Sequence, residues 1–320
     1  MKPVLIYYEI LGYTPENLAL LNERFEIITL TDPSQATPQV LQKAEVILAP
    51  LGYFCGKQTI DHAARLKIIG SNTTGHPHID VGYALSKGIR VITLKNQHRF
   101  LKTITPTAEL TWGLIIAVTR NIIPGFQSVL QGKWSRWPFG GNRMLSRMSL
   151  GVVGYGRLGR KVAAYGSCFG MQVGCFDPQP HRIPKAVIKF ATLADLVSSS
   201  DIITVHVPHE PENENMFSRR IFAKFKVGAY FINTSRGELV DQEALLEALE
   251  KKILAGAALD VLADEFAPDF QKTAMDHPLI KYASTHSNLI ITPHIGGSTR
   301  DAWHLTQAHT IQLILEALHS

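Results

Sequence analysis

Short apolar runs recur along the chain, each followed by a stretch whose apolar residues return every three or four positions. Residues 2–8, 25–30, 44–49, 66–71 and 89–93 have the length and composition of buried strands. Between them, 14–23, 34–43 and 79–87 have helical spacing, the first with Thr14 as N-cap and Pro15 at its opening position. The alternation resumes with strands at 150–153, 171–176, 201–207, 229–233, 255–259 and 289–292. Helices are expected at 107–120, 160–169, 191–198, 239–250 and 299–318. Strand and helix in alternation predict an α/β fold with parallel sheets covered on both faces. Residues 125–141, with Trp134, Trp137 and Phe139, break the pattern. They read either as surface packed on another subunit or as a connecting helix and loop. The expected organisation is two doubly wound parallel-sheet domains with a cleft between them. Residues 1–100 with the C-terminal helix 295–320 form one, and 101–294 form the other.

Composition narrows the class. With 320 residues, 45% of them hydrophobic and 18% charged, the chain is long and apolar enough for two globular domains. Its net charge of +5 includes no run of five Lys or Arg, so no nucleic-acid partner is expected. Cys55, Cys168 and Cys175 lack CxxC spacing and read as reduced thiols. The start has no signal-peptide pattern, with Glu9 interrupting its apolar run, and no stretch has the length of a membrane span. The expectation is a cytoplasmic protein with no membrane partner.

The densest signal lies at 149–177, SLGVVGYGRLGRKVAAYGSCFGMQVGCFD. A strand leads into Gly154, Gly156 and Gly159 in G-x-G-x-x-G spacing, then a helix, a second strand and Asp177. This is the context of a dinucleotide-binding turn. Gly154 permits the tight turn, Gly156 admits a pyrophosphate, and Gly159 lets helix and strand pack. The helix start offers N–H groups and a positive dipole end to the phosphates. Asp177 suits a ribose 2′- and 3′-hydroxyl pair and repels a 2′-phosphate, which favours NAD over NADP.

Four later stretches end strands of the same expected sheet, so their turns should gather along one crevice. They are HVPHEPEN from His206, FINTSRGELVD, ALDVLADE and IITPHIGGST. Arg236, Glu265 and His294 would converge there. A 2-hydroxy acid must lose a proton from oxygen and a hydride from carbon. His294 can take the proton, since imidazole titrates near neutrality. Glu265 can orient the imidazole, with Asp264 as the competing choice. Arg236 offers a planar fork to a carboxylate or carbonyl. The turn Asn72-Thr73-Thr74-Gly75-His76-Pro77-His78 is rich in donors and is the candidate for substrate contact. His76 and His78 lack the partners that a metal site requires, so no metal is expected.

These motifs, VVGYGRLGRKVA, INTSRGELVDQEAL, AGAALDVLADE and TPHIGGST, resemble the D-isomer-specific 2-hydroxyacid dehydrogenases in order and spacing. Within that family, LKTITPTAEL and HIGGSTRDAW look most like phosphoglycerate dehydrogenase-type members. The resemblance implies a Rossmann NAD-binding domain and a flavodoxin-like substrate domain. It implies NAD as cofactor and Arg236, Glu265 and His294 as the catalytic set. Gly154, Tyr155, Gly156, Arg157, Leu158, Gly159, Asp177, Thr234, Ser235, Arg236, Asp260, His294, Gly296 and Gly297 become cofactor neighbours, with His206, Val207 and Pro208 on the adenosine side. Thr73, Thr74 and Gly75 would bind the substrate carboxylate through backbone N–H groups, alongside Arg236 and His294. The partners implied are a small 2-hydroxy or 2-oxo acid and a second copy of the chain, in a homodimer that includes helix 107–120. The chain departs from the pattern at Ser71, where many members carry a basic residue; Lys57, Arg99 or Lys102 are the available substitutes. Phe266 stands where proline is common, and His209 where leucine is usual. An alternative on the same fold is an NAD(H)-sensing or corepressor-like binding protein. The formate-oxidising branch pairs its histidine with glutamine, so Glu265 argues against it.

Overall fold

The computed structural model describes residues 2–179, 182–267 and 269–319. The chain divides into two compact units. One is Met1–Ile104 with Phe266–Pro268 and Ser298–Ser320, and the other is Thr105–Glu265 with Asp269–Gly297.

The first unit carries strands β1 (Val4–Tyr8), β2 (Glu26–Leu30), β3 (Val46–Leu48), β4 (Ile68–Gly70) and β5 (Arg90–Ile92). They pair in parallel in the order β2-β1-β3-β4-β5, which is flavodoxin-like. Alternation along each strand fills both faces. Ile6, Ile47 and Ile69 enter one core, while Leu5, Val46, Leu48 and Ile68 enter the other. The C-terminal helix Arg300–His319 closes the second face with Ile311 and Ile314. Gly70 makes room for it, since a Cβ there would lie 2.6 Å from Ile314 Cδ1. Ser320 lies outside the described residues.

Two local expectations for this unit are revised. The helix expected at 34–43 is a short turn, Pro33–Gln35, followed by Pro38–Leu41. Pro38 lacks an N–H and disfavours a helical residue before it, so one continuous helix cannot form. Thr14 does hold the N-cap position of Pro15–Arg24, but its hydroxyl makes no cap bond. It reaches His304 Nδ1 at 3.2 Å, and the Thr14 N–H donates to Gln307 Oε1 at 2.9 Å. Buried Asn17 donates to the same oxygen. This polar seam fixes the C-terminal helix against Pro15–Arg24.

The second unit has seven parallel strands: β6 (Ser149–Val153), β7 (Gln172–Phe176), β8 (Val187–Lys189), β9 (Ile202–Val205), β10 (Ala229–Asn233), β11 (Leu254–Leu259) and β12 (Leu289–Ile291). Their order, β12-β11-β10-β9-β6-β7-β8, reverses direction between β6 and β9. That switch point opens a crevice at the strands' carboxyl ends. Val153, Ile203 and Phe231 fill one face; Val152, Ile202 and Ile232 fill the other, beneath the helix Pro106–Thr119. β8 is an edge strand of three residues, too short to stand out in the sequence. The helix expected from Leu239 begins at Gln242, because Asp241 accepts the Ala244 N–H at 3.0 Å and caps it there. Residues 125–141 hold the end of a helix, Ile122–Leu130, and a turn, Trp137–Phe139. Ile122, Phe126, Leu130, Trp134 and Trp137 are all exposed.

Candidate active site

The glycine turn follows β6, and each glycine has its own steric reason. Gly154 has φ +88°, and a Cβ there would lie 2.5 Å from the His206 carbonyl oxygen. The end of β9 therefore seats directly on the turn. A Cβ on Gly159 would lie 1.9 Å from the Gly154 oxygen, so the helix Arg157–Cys168 packs backbone against backbone. Gly156 is different: a Cβ there meets nothing within 4 Å. Two glycines are filled against by protein, and the middle one faces open space beside a helix N-terminus. Such a cradle fits a pyrophosphate.

Asp177, at the end of β7, is 8% exposed. Its Oδ2 accepts the Tyr155 N–H at 2.6 Å and its Oδ1 accepts the Gln179 N–H at 2.8 Å. The carboxylate thus holds the glycine turn from the end of β7. Arg157 and Leu158 open the helix, both half-buried. Next to the turn, His206 bonds Thr204 Oγ1 through Nε2 at 2.9 Å, and burial pushes its imidazole down to about 3. Val207 packs against Gly154, followed by exposed Pro208.

The turn after β10 is shaped from beneath. Asn233, 1% exposed, accepts the Ser235 N–H and donates to the Arg236 carbonyl at 2.9 and 2.8 Å. Ser235 Oγ donates to Val205 O, and Thr234 Oγ1 sits 2.9 Å from Thr111 Oγ1, turned toward the helix Pro106–Thr119. Arg236 Nη1 donates to Ser235 O at 2.6 Å, which orients the guanidinium. A Cβ on Gly237 would lie 2.0 Å from Ala263 N and Leu262 C. That glycine brings the Arg236 turn onto the loop that leads to Glu265. The sequence places Asn233 and Gly237 at this turn, but in none of the catalytic, cofactor or substrate sets. The Asn-x-Ser-Arg-Gly spacing was the available signal.

Asp260, 1% exposed, directs its carboxylate at the turn after β12. It accepts Thr292 Oγ1 at 2.6 Å, Ile295 N at 2.9 Å and Gly296 N at 2.7 Å. Burial raises its carboxyl above the ordinary range, against the pull of those hydrogen bonds. A Cβ on Gly296 would sit 2.8 Å from Asp260 Oδ2, whereas Gly297 is open. The result is a stapled turn with His294 at φ +51°, a left-handed conformation that costs about 1 kcal/mol or more. So held, His294 Nδ1 lies 2.6 Å from Glu265 Oε1. Glu265 is mostly buried, while Asp264 is exposed at φ +57°. Of the two acids, Glu265 meets the histidine.

In the first unit, the turn after β4 joins Ser71, Thr73 and His78 in hydrogen bonds. Among the described residues, the backbone N–H groups of Thr73, Thr74 and Gly75 donate to no protein acceptor. His78 Nε2 is engaged by Ser71 at 3.1 Å. Among the described residues no three His, Cys, Asp or Glu side chains gather as metal ligands, and no single helix is long and apolar enough to cross a membrane.

Comparison with known proteins agrees with this geometry. Residues 112–296 match the D-isomer specific 2-hydroxyacid dehydrogenase, NAD binding domain. The D-3-phosphoglycerate dehydrogenase of Bacillus subtilis is 38% identical over 74% of this chain and 42% of its own length. The chain therefore spans about half the length of such relatives. A Staphylococcus haemolyticus protein named as a 2-hydroxyacid dehydrogenase is 33% identical over 92% of this chain and 90% of its own. D-lactate dehydrogenase from Aquifex aeolicus, solved with NAD and lactic acid, superposes with a TM-score of 0.81 at 27% identity, covering 99% of this chain and 95% of that one. The chain belongs to the D-isomer specific 2-hydroxyacid dehydrogenase family, and its second unit carries that family's NAD binding domain.

Proposed function

We propose that the chain is an NAD-dependent oxidoreductase that interconverts a D-2-hydroxy acid and its 2-oxo acid. The observation that carries this is the His294–Glu265 pair at 2.6 Å, on the same sheet as the glycine turn. Glu265 engages Nδ1, which assigns the proton exchange with substrate oxygen to Nε2. In oxidation Nε2 takes the hydroxyl proton, and in reduction it returns one to the forming alkoxide. Arg236, with its guanidinium steadied by Ser235 O, keeps donors for a carboxylate or carbonyl oxygen. Bound NAD supplies the hydride acceptor or donor. Gly154, Gly156 and Gly159 would hold its pyrophosphate and Asp177 its ribose.

The first unit serves as the substrate domain in this reading, with Thr73, Thr74 and Gly75 binding the substrate carboxylate. Residues 71–79 contain no Lys or Arg. A phosphorylated substrate like that of the phosphoglycerate relatives would draw its cation from exposed Lys57, Arg99 or Lys102. The exposed apolar face of Ile122, Phe126 and Leu130, with Trp134 and Trp137, supports a homodimer. Three free cysteines suit a cytoplasmic location.

The test is a panel of 2-oxo acids, phosphorylated and unphosphorylated, with NADH and NADPH, read by nicotinamide absorbance. We expect turnover with a clear NADH preference. His294→Ala should cut turnover by about 10²–10⁴-fold with NADH affinity intact. Arg236→Lys should lose most catalytic efficiency, because a point donor cannot match the fork. Tight NADH binding with no turnover on any acid would sink the enzyme and favour a cofactor-sensing binding protein.

A further inference from the structure

Behind the turn after β4 lies a chain of three side chains with a forced direction. Thr73 Oγ1 is 2.6 Å from the Gly75 carbonyl oxygen, Ser71 Oγ is 2.9 Å from Thr73 Oγ1, and His78 Nε2 is 3.1 Å from Ser71 Oγ. A hydroxyl carries one hydrogen. Thr73 spends its hydrogen on Gly75, because a carbonyl only accepts. The contact between the two hydroxyl oxygens then requires the hydrogen of Ser71. Ser71 has none left for the histidine, so His78 Nε2 must donate. Were Ser71 to donate to His78 instead, its oxygen and that of Thr73 would face each other at 2.9 Å with no hydrogen between them.

The chain is dry at its root. Ser71 is 2% exposed and His78 4%. Burial pushes the His78 imidazole down to about 4, against a backbone hydrogen bond to Ala49 that favours the charged form, so the ring is neutral with one hydrogen, which the chain of contacts assigns to Nε2. Backbone bonds fix the histidine further: the Cys55 N–H donates to His78 O at 2.8 Å, and the Asp80 N–H to Cys55 O at 3.1 Å. At the far end, the Thr73 side chain is tied to Gly75 across the turn. Such a side-chain closure holds the residues between its ends in one conformation. Those residues carry the N–H groups of Thr74 and Gly75, which donate to no protein acceptor among the described residues.

We propose that His78, Ser71 and Thr73 are positioning residues: a one-way hydrogen-bond chain that locks the Thr73–Gly75 turn so that its N–H groups meet the substrate carboxylate. This rests on the reading of that turn as the carboxylate site. None of the three side chains needs to touch substrate. Their effect should appear in substrate affinity and not in the chemical step.

The experiment uses Ser71→Ala, Thr73→Val and Thr73→Ser, with the best acid from the panel. Ser71→Ala and Thr73→Val should each raise KM for the 2-oxo acid about tenfold, leaving kcat within about twofold and NADH affinity unchanged. Thr73→Ser keeps the hydroxyl and should restore near-normal KM. The double variant Ser71→Ala/Thr73→Val should be no worse than either single, since a linear chain breaks once. In the free protein, the Gly75 amide order parameter should fall from about 0.85 to below about 0.6 in Ser71→Ala. An unchanged KM in both Ser71→Ala and Thr73→Val overturns the proposal. The amide then locates the fault: lost order with unchanged KM removes the carboxylate reading of the turn, and retained order removes the chain.

Discussion

The turn after β6 and the turn after β12 lie at the same end of one sheet and are built in opposite ways. The first is made by missing side chains. Gly154 and Gly159 have backbone where a Cβ would go, at 2.5 and 1.9 Å. The second is made by a side chain: Asp260 gathers Thr292, Ile295 and Gly296 onto one carboxylate and leaves His294 in a left-handed conformation. Steric turns are all-or-none, because backbone oxygen cannot move aside. Hydrogen-bonded turns are gradable and depend on charge. The glycine turn proposed to hold the cofactor is of the rigid kind, and His294, the proposed acid–base residue, sits on the adjustable kind.

The largest expected effect is at Gly159. Gly159→Ala should abolish NADH binding and leave the second unit misfolded or strongly destabilised, as read by thermal unfolding and NADH titration. Asp260→Ala comes next. Freeing three donors should cost about 3 kcal/mol, a Tm drop of roughly 6–12 °C, with turnover lost and NADH binding retained; Asp260→Asn, which keeps one acceptor oxygen, should fall between. Gly156→Ala should be milder still in stability, within about 2 °C in Tm, because no atom opposes the new Cβ, yet NADH affinity should fall about tenfold. If Gly156→Ala and Gly159→Ala behave alike, the steric account of the cradle is wrong.

The smallest effect is in acid. Asp201 accepts from Lys226 Nζ at 2.7 Å, Arg143 Nη1 at 2.8 Å and Ser149 N at 2.8 Å. Burial raises its carboxyl, but these partners outweigh burial and hold it well below the usual carboxylate range. Its contribution is complete above about pH 4, the unfolded value, and is lost as the pH falls toward the depressed one. Asp201→Asn should therefore lower Tm at neutral pH and flatten the fall in Tm between roughly pH 5 and pH 2. An equal acid slope in both proteins would show that the charge-built features do not set acid stability.

The same contrast explains what could be read from sequence. Glycine spacing is local, so the cradle, its helix and Asp177 were visible within 149–177. The strands were visible because buried parallel strands are continuous apolar runs. The staple was not visible: Asp260 and its donors Ile295 and Gly296 lie more than thirty residues apart. The family resemblance implies Asp260 as a cofactor neighbour, but its three internal bonds have no signature in the sequence. Likewise, nothing local marks Gly237 as the point where the loop before Glu265 lies against the turn. The choice between Asp264 and Glu265 depended on which acid a left-handed backbone turns outward. β8 and the broken helix near Pro38 escape the pattern for lesser reasons: a three-residue edge strand is too short to stand out, and the helical spacing at 34–43 runs across a proline.

The backbone of His294 carries a consequence for how this chemistry can be lost. At φ +51° the position favours glycine or asparagine over histidine. A His294→Asn replacement should therefore relieve strain while removing the proposed proton carrier, and the Asp260 staple and glycine cradle remain. On the proposed function, drift toward a cofactor binder without turnover runs downhill in stability at this residue.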